Sequence, residues 1–305
     1  MNKRQKQVVK YQLRQENAVL RELAAQYEET LKGINQQILE YQSMDDTPSH
    51  AYRIEYQKRM KQQVEASLEL LHSKQYQTVD QYLNDAYKSG FVGTMYDLHG
   101  QNIPVVAPID QKAVLRAVTL DTKLKEPLYK AIGVDIKELK KSISGEITRG
   151  LSSGLLYEDI ARNIKGRTKA PLSRIKTIVR TEGHRIQEAS TEDARQVAKS
   201  KGADVVKQWD ATLDGKTRET HRMLDGQIRE TDEPFEYGSK KAMYPGDFGD
   251  PAEDCNCRCL ALTRARSALD EDELKVMQER AEYFGLDKSE TFREFEKKYL
   301  KALKE

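Results

Sequence analysis

All three cysteines of this chain stand at alternate positions of one short segment, at Cys255, Cys257 and Cys259. In an extended segment alternate side chains point to one face, about 6.6 Å apart between successive members, so at least two thiolates can meet at a metal ion. His221 and His184 offer nitrogen ligands, and zinc favours tetrahedral sets of cysteine and histidine. Because the usual zinc spacing is C-x-x-C, three interpretations stay open: a structural zinc site, three small buried side chains at a tight corner, or a disulfide.

A polar set precedes the cysteines, on a predicted turn and the short helix after it. Arg218 and His221 are three residues apart, so they share one face of that helix. A carboxylate of the turn, Asp210 or Asp214, can pair with the arginine or fix the tautomer of the imidazole. The set is either an acid–base site or a polar network that holds a loop-rich module together. No nucleophile with a clear base and no phosphate loop accompanies it, which favours the structural interpretation.

Residues 162–185 are strongly basic, with eight lysines or arginines against one acid, Glu182. Such a segment can follow a nucleic-acid backbone through phosphate contacts, while the absence of interleaved aromatic residues argues against base stacking. The alternative is a solvated helix face or a contact with an acidic protein ring. The eight basic residues are Arg162, Lys165, Arg167, Lys169, Arg174, Lys176, Arg180 and Arg185.

Two long helices are predicted at the start of the chain. From residue 5 to 42 there is no proline, and apolar residues from Leu20 to Ile38 recur at steps of three or four, close to coiled-coil spacing. Asp45 to Pro48 breaks the pattern, and a second helix is predicted from 51 to 88. This hairpin either packs on itself or forms a partner-binding arm, and residues 90–110 are predicted as a break rich in glycine and proline.

Shorter helices and a small mixed module are predicted downstream. Pro171 suits the first turn of a long helix that carries the polar triplet Arg180-Thr181-Glu182, which we expect to anchor the helix to the module by hydrogen bonds. Asp270 is a good N-cap for a helix that Gly285 ends. The predicted helices are 110–124, 127–132, 134–150, 156–164, 172–200, 217–224 and 289–303, and the predicted strands are 203–209 and 258–263.

The composition limits the class of protein. Charged residues make up 33% of the 305 residues and hydrophobic residues 38%, which fits long solvated helices attached to a smaller core. The net charge of +2 predicts neither nucleic acid nor membrane as a partner. No run of about 18 apolar residues occurs, so no membrane-spanning segment is expected. Three cysteines confined to one site favour synthesis in a reducing cytosol.

The sequence therefore predicts a mainly α protein with a long N-terminal helical hairpin, a central helical region, a small α+β module and a helical tail. The predicted parts are an arm at 1–90, a linker with short helices at 91–134, a domain at 135–265 whose α+β module spans 203–265, and a tail at 266–305.

The motifs of residues 135–265 resemble the phage Mu F-like family of minor head proteins. Members of that family share an R-T-E triplet at the end of a helix, a W-x-A-x-x-D turn, an R-x-x-H helix and a terminal C-R-C. The counterparts here are Arg180-Thr181-Glu182, Trp209 with Ala211 and Asp214, Arg218 with His221, and Cys257-Arg258-Cys259. Turn residues of the family fall at Gly226, Pro245, Pro251 and Glu253.

The resemblance implies a low-copy virion protein of a tailed phage. Such proteins bind the portal, enter the head during assembly and in some cases accompany the DNA into the cell. The partners implied are the portal protein, double-stranded DNA and scaffold or capsid protein, and the location is the virion interior, with host cytoplasm during assembly and after ejection. Some relatives carry a toxin or enzyme domain after the C-R-C segment; only about 40 residues follow it here, too few for an ordinary catalytic domain.

We therefore expect no catalysis, no certain cofactor and one candidate structural zinc, with His221 and the three cysteines as its ligands. We expect a structural polar centre made of Thr181, Glu182, Trp209, Asp210, Asp214, Arg218 and Arg258. The alternative is an enzyme, a nuclease or a transferase, that uses Arg180, Glu182, Asp214, Arg218 and His221.

Overall fold

The computed structural model describes residues 1–43, 50–121, 128–153, 155–166, 169–266, 278–279 and 281–302. The predicted break at 45–48, the helix start at Asp270 and the candidate DNA contact Arg167 lie outside the described residues. Helices dominate the described part and a small sheet accompanies them, so the predicted mainly α class with a small α+β module is confirmed. No helix in the described part of the chain has the length and apolar character needed to cross a membrane.

The elements follow one another in this order: α1 (Lys3–Ser43), α2 (His50–Gly100), α3 (Gln111–Leu115), a π-helical turn (Arg116–Leu120), α4 (Leu128–Ser152), α5 (Tyr157–Gly166), α6 (Lys169–Ser200), β1 (Val205–Asp210), α7 (Glu219–Leu224), β2 (Ile228–Glu230), β3 (Phe235–Tyr237), β4 (Lys240–Ala242), α8 (Pro251–Asp254), β5 (Leu260–Ala265) and α9 (Phe292–Ala302). They form two compact units. One comprises residues 1–16, 82–123 and 179–305, and the other comprises residues 17–81 and 124–178.

The unit of residues 17–81 and 124–178 is helical. The apolar stripe predicted on the first helix is buried in it, with Leu23, Ile34 and Ile38 fully covered. Burial of such a stripe is the main source of stability for an amphipathic helix. Further buried residues come from α2 and α4: Val64, Leu68, Leu71, Ile136, Leu139, Ile143 and Ile147.

One helix of this unit replaces two that the sequence predicts. The predicted helices 127–132 and 134–150 are continuous in α4, which runs through Gly133. A Cβ atom at Gly133 would lie 2.8 Å from Cε1 of His72, so this glycine serves the close approach of a ring rather than a break. The Nε2 atom of His72 lies 2.8 Å from the carbonyl oxygen of Tyr129, which holds the ring against α4.

The other unit contains the small sheet. β1 is its central strand and pairs antiparallel with β2 on one side and with β5 on the other. The register places Trp209 opposite Ala261. The outer edge of β5 is covered by Gln101, whose amide donates to the carbonyl of Thr263 at 3.0 Å and accepts from the N–H of Ala265 at 2.8 Å. This contact satisfies backbone groups that an edge strand would otherwise expose.

The predicted break at 90–110 is wrong in its first half, because α2 continues to Gly100. Gly90 and Gly93 lie inside the helix, where close packing explains them. A Cβ atom at Gly90 would lie 2.5 Å from the carbonyl oxygen of Gln187, and one at Gly93 would lie 2.5 Å from a methyl of Val8. Only after Asn102, which has a positive φ of 62°, does the chain become extended.

Candidate functional site

The α+β module has a small apolar interior around Trp209. This side chain is fully buried, and its ring meets those of His221 and Phe235 edge-on at centroid distances of 5.7 and 5.2 Å. Edge-to-face contacts of this kind are favourable because the ring edge is positive and the ring face negative. The buried residues of this interior are Trp209, Leu224, Phe235, Cys257, Cys259 and Ala261.

Two of the three cysteines meet one histidine in this interior. The Nδ1 atom of His221 lies 3.2 Å from Sγ of Cys259 and 3.6 Å from Sγ of Cys257. The three donor atoms all lie within 4.8 Å of one another, and all three side chains are buried. The structure thus brings together three of the four candidate metal ligands predicted from the sequence.

Cys255 does not join them, which corrects the prediction that all three thiols share a face. The segment is not extended: Asn256 has a φ of 53°, in the left-handed region, and this one residue ends the alternation. Cys255 lies instead beside Thr181, whose hydroxyl donates to its Sγ at 3.8 Å. The same hydroxyl accepts from the N–H of Asn256 at 3.1 Å, so Thr181 connects α6 to this turn.

The far side of the His221 ring faces a carboxylate. Nε2 of His221 lies 3.3 Å from Oε2 of Glu253, and the hydroxyl of Thr220 donates to the other oxygen of Glu253 at 3.3 Å. An acidic group beside Nε2 favours the tautomer with its proton on that nitrogen, which leaves a lone pair on Nδ1. The lone pair of Nδ1 is thereby directed at the two sulfurs.

The two thiols have opposite acid–base character. The pKa of Cys259 is lowered, above all because the thiol of Cys257 donates a hydrogen bond to its sulfur. The pKa of Cys257 is raised by that same hydrogen bond to Cys259 and by burial. Burial also lowers the pKa of the neighbouring His184 to about 4, and the buried Nε2 of that ring has no hydrogen-bond partner among the described residues. The thiol of Cys259 is therefore the one that ionises first.

The predicted polar set is present, but its members pair differently. Asp214 accepts two hydrogen bonds from Arg258, at 2.6 and 2.7 Å, rather than pairing with Arg218. Arg218 is the residue before α7, and its guanidinium donates to the carbonyl of Cys255 at 2.6 Å. Asp210 ends β1 opposite Leu260. Each charged group therefore stabilises a different turn of the module.

A small pocket of about 220 Å³, open to solvent, borders this set. Its lining includes Arg218, His221, Arg258 and Cys259. The pocket brings solvent to the edge of the cysteine–histidine cluster, because His221 and Cys259 both line it. Its remaining lining residues are Thr212, Lys216, Thr217 and Asn256.

A buried charged network of α6 was missed by the sequence analysis. Glu188 accepts from the N–H of Ala261 at 2.8 Å, and Arg195 donates to the carbonyl of the same residue at 2.8 Å. Arg195 also pairs with Glu192 at 2.6 Å, and Glu192 lies 3.6 Å from Nζ of the fully buried Lys207. Burial raises the pKa of Glu188 to about 8 and lowers that of Lys207 to about 8. The network holds β5, and with it the end of the cysteine segment, against α6.

The signal for this network was the spacing of Glu188, Glu192 and Arg195, at steps of four and three along one helix. These steps place the three side chains on one face of α6. Spacing alone does not say whether that face is solvated or turned towards the sheet.

The described members of the eight basic residues differ in their surroundings. Arg185 is buried and pairs with Glu182, so its assignment as a DNA contact is corrected. Arg180 pairs with Glu16 at 3.4 Å in the same compact unit. In the other unit Arg162 is exposed, and Arg174 is half-exposed beside Asp135. Lys176 is partly exposed; Lys165 and Lys169 lie on α5 and α6, and their side chains are not among those described.

The five residues of the enzyme alternative do not converge. Glu182 is bound to Arg185, Arg180 to Glu16, and Asp214 to Arg258. Of the five, only Arg218 and His221 line the pocket of about 220 Å³. The arrangement is that of a buried soft-donor cluster within a polar framework.

The structure thus defines a mainly helical protein whose small α+β module is built around a buried cysteine–histidine cluster. The family described as "Phage Mu protein F like protein" matches residues 141–262, the segment that includes this module. This match confirms the resemblance to the phage Mu F-like family that the motifs indicate.

Two curated proteins are similar to the chain. It is 33% identical over 188 residues to minor head protein GP7 of Bacillus phage SPP1, a match that covers 60% of this chain and 58% of that protein. It is 30% identical over 269 residues to NAD(+)–arginine ADP-ribosyltransferase EFV of Enterococcus faecalis, covering 86% of this chain and 54% of that protein. The chain thus spans little more than half the length of each. No solved structure matches it.

Proposed function

We propose that this chain is a minor head protein of a tailed phage, present at low copy in the virion. The observation that carries the proposal is the Mu F-like segment at 141–262 together with the 33% identity to a protein named as a phage minor head protein. On this proposal the protein works by binding other particle components, without catalysis. Its location is the interior of the head, with passage through host cytoplasm during assembly and after ejection.

We further propose that the protein docks on the portal at one vertex, next to scaffold or capsid protein, and leaves with the DNA. The helices α1 and α2, of 41 and 51 residues, are each long enough to lie along a neighbouring protein. The exposed Arg162 and Arg174 and the partly exposed Lys176 supply charge for phosphate contacts with double-stranded DNA.

The experiment uses the full chain and the portal protein of the same phage. Mixed components are separated by sedimentation, and binding to a duplex is measured at two salt concentrations. Purified particles are also probed for the protein before and after DNA release triggered in vitro. We expect co-sedimentation with the portal, salt-dependent DNA binding, and loss of the protein from emptied particles. A protein absent from particles that binds neither portal nor duplex contradicts the proposal.

A second candidate function follows from the relative named as an arginine ADP-ribosyltransferase, whose match covers 86% of this chain. The test is to incubate the protein with labelled NAD+ and a small guanidine acceptor, and in parallel with duplex DNA and a divalent cation. We expect neither label transfer nor DNA cleavage, because Arg180, Glu182 and Asp214 are each engaged in separate ion pairs. Turnover that His221→Ala abolishes in a folded protein would replace the head-protein proposal with the enzyme.

A further inference from the structure

We propose that Cys257, Cys259 and His221 form a zinc site, with the two sulfurs and Nδ1 of the imidazole as ligands and Glu253 as a positioning residue behind the ring. The three donor atoms already lie within 4.8 Å of one another. They come from two separate parts of the chain, the helix α7 and the segment that leads into β5. Two thiolates and one imidazole form a donor set that binds zinc well and hard cations poorly.

The orientation of the ring is the first argument for a metal. In metal sites the ligating histidine almost always gives its other nitrogen to a carboxylate or carbonyl, which fixes the tautomer and the ring plane. Glu253 stands in that position, 3.3 Å from Nε2, while Nδ1 faces the sulfurs of Cys259 and Cys257 at 3.2 and 3.6 Å. The ring thus presents Nδ1 to the two sulfurs and Nε2 to a carboxylate, the arrangement of a histidine that binds a metal through Nδ1.

The second argument is that rigid parts of the module hold all three donors in place. Phe248 stacks on the ring of His221 at a centroid distance of 5.5 Å, and Trp209 meets it edge-on. Glu188 and Arg195 hold Ala261, two residues beyond Cys259, by both of its backbone polar groups. Ligands whose positions are fixed by surrounding packing and hydrogen bonds bind a metal without further ordering cost.

The third argument is the small size of the interior. The apolar cluster around Trp209 contains six buried residues, and two of them are the cysteines themselves. The module spans only about 60 residues, and modules of that size bury little apolar surface and are often stabilised by a metal. A zinc ion here would tie α7 to the chain before β5 across the loop region that contains β2, β3 and β4.

The fourth ligand comes from solvent on this proposal. Among the described residues no further histidine, cysteine or carboxylate joins His221, Cys257 and Cys259 as a fourth ligand. The pocket of about 220 Å³ borders both His221 and Cys259, so a water molecule can reach an ion held between them. Three protein ligands and one water are a coordination that zinc adopts in proteins.

The test is a cobalt(II) titration of the full chain after removal of metals under reducing conditions, followed by competition with zinc. Tetrahedral cobalt with thiolate ligands gives intense visible bands and a near-ultraviolet charge-transfer band. The variants are Cys257→Ser, Cys259→Ser, His221→Ala and Glu253→Gln, with Cys255→Ser as the matched control, because Cys255 is the thiol that the structure places outside the cluster.

We expect one cobalt per wild-type chain, displaced by zinc, with the charge-transfer band present in wild type and in the Cys255→Ser variant. Cys257→Ser, Cys259→Ser and His221→Ala should lose stoichiometric binding, and Glu253→Gln should bind about 10–100-fold more weakly with the same spectrum. A chelator should also lower the melting temperature of the wild-type protein. This measurement does not depend on the folding of any variant. Wild type without cobalt bands, or Cys255→Ser that loses them as fully as the other cysteine variants, would overturn the proposal.

Discussion

Arg185 and Glu182 lie one turn apart on α6 and form an ion pair of 2.9 Å that is almost wholly removed from solvent. The guanidinium of Arg185 also donates to the carbonyl of Ala117 at 2.7 Å. The acidic residue of the family triplet therefore neutralises an interior cation, which connects α6 to the π-helical turn. Glu182 thus has a structural partner within α6.

We predict that Arg185→Met lowers the free energy of unfolding by about 3–5 kcal/mol, because it leaves the Glu182 carboxylate buried without its cation. Urea unfolding followed by circular dichroism measures the change. Arg162→Met is the control, since Arg162 is exposed and its pair with Asp159 is worth less than about 1 kcal/mol. If the Arg185→Met variant has unchanged stability but weakened DNA binding, Arg185 is a DNA contact and this prediction is wrong.

A second prediction concerns the salt dependence of DNA binding. Replacing three exposed or partly exposed cations of one compact unit by glutamine should weaken binding and reduce the slope of log K against log salt by about 0.9 for each phosphate that the protein no longer neutralises. The three are Arg162, Arg174 and Lys176. Fluorescence anisotropy measures both slopes, for this variant and for a charge-matched control. Equal slopes would show that these three cations are not the DNA-binding surface. The control replaces three exposed cations of the other unit: Lys201, Arg222 and Lys241.

The helical glycines should respond to alanine in opposite directions. Gly90→Ala should destabilise the protein although alanine is the better helix former, because the new Cβ would lie 2.5 Å from the carbonyl of Gln187. Gly145→Ala should stabilise it by up to about 1 kcal/mol, because nothing lies within 4 Å of the corresponding position. Thermal melts of the two variants beside wild type test both signs, and stabilisation by both changes would refute the close approach at Gly90.

His99 should make the stability depend on pH. Burial lowers the pKa of His99 from 6.5 to about 4, and Arg4 lowers it further, against the opposing effects of the hydrogen bond to the Val105 carbonyl and of Asp287. Between these pH values the unfolded chain binds a proton that the folded chain does not, so stability is lost as the pH falls from 6.5 towards 4. The loss between pH 7 and pH 5 amounts to about 2 kcal/mol.

His99→Gln removes the titration and keeps a group that can hydrogen-bond the carbonyl of Val105, which lies 3.3 Å from Nε2 of His99. We expect the difference in unfolding free energy between pH 7 and pH 5 to shrink by about 2 kcal/mol in this variant. Buried carboxylates with raised pKa values, such as Asp97, act alike in both proteins and cancel in the comparison. Parallel pH profiles for wild type and variant would contradict the assignment.

The helices were predictable because their apolar stripes repeat over many turns, as from Leu20 to Ile38. Glycine was the source of the errors at 90–110 and at Gly133. A glycine either breaks a helix or allows a neighbouring group to pack closely against it, and the neighbouring group determines which. The neighbours are Gln187 and Ser190 at Gly90, and the ring of His72 at Gly133. Those partners are distant in sequence, so no local pattern contains them.

The site was predictable by residue type but not by pairing. The sequence analysis identified Cys257, Cys259 and His221, and it wrongly added Cys255 because a single left-handed residue, Asn256, cannot be read from an alternating pattern. It left open whether Asp210 or Asp214 pairs with Arg218 or fixes the imidazole tautomer, whereas the structure pairs Asp214 with Arg258, 44 residues away. Ion pairs over such separations depend on the turns between them, which local rules do not predict.

The cover that Gln101 provides for the edge of β5 has a consequence for synthesis. Gln101 and Thr263 are 162 residues apart, and β1 cannot acquire its longer neighbour until β5 has been made. At roughly 5–20 residues per second, the ribosome needs on the order of ten to thirty seconds to bridge that interval. During this time the end of α2 lacks the strand that it covers in the folded protein, so a chaperone can bind the nascent chain until β5 has been made.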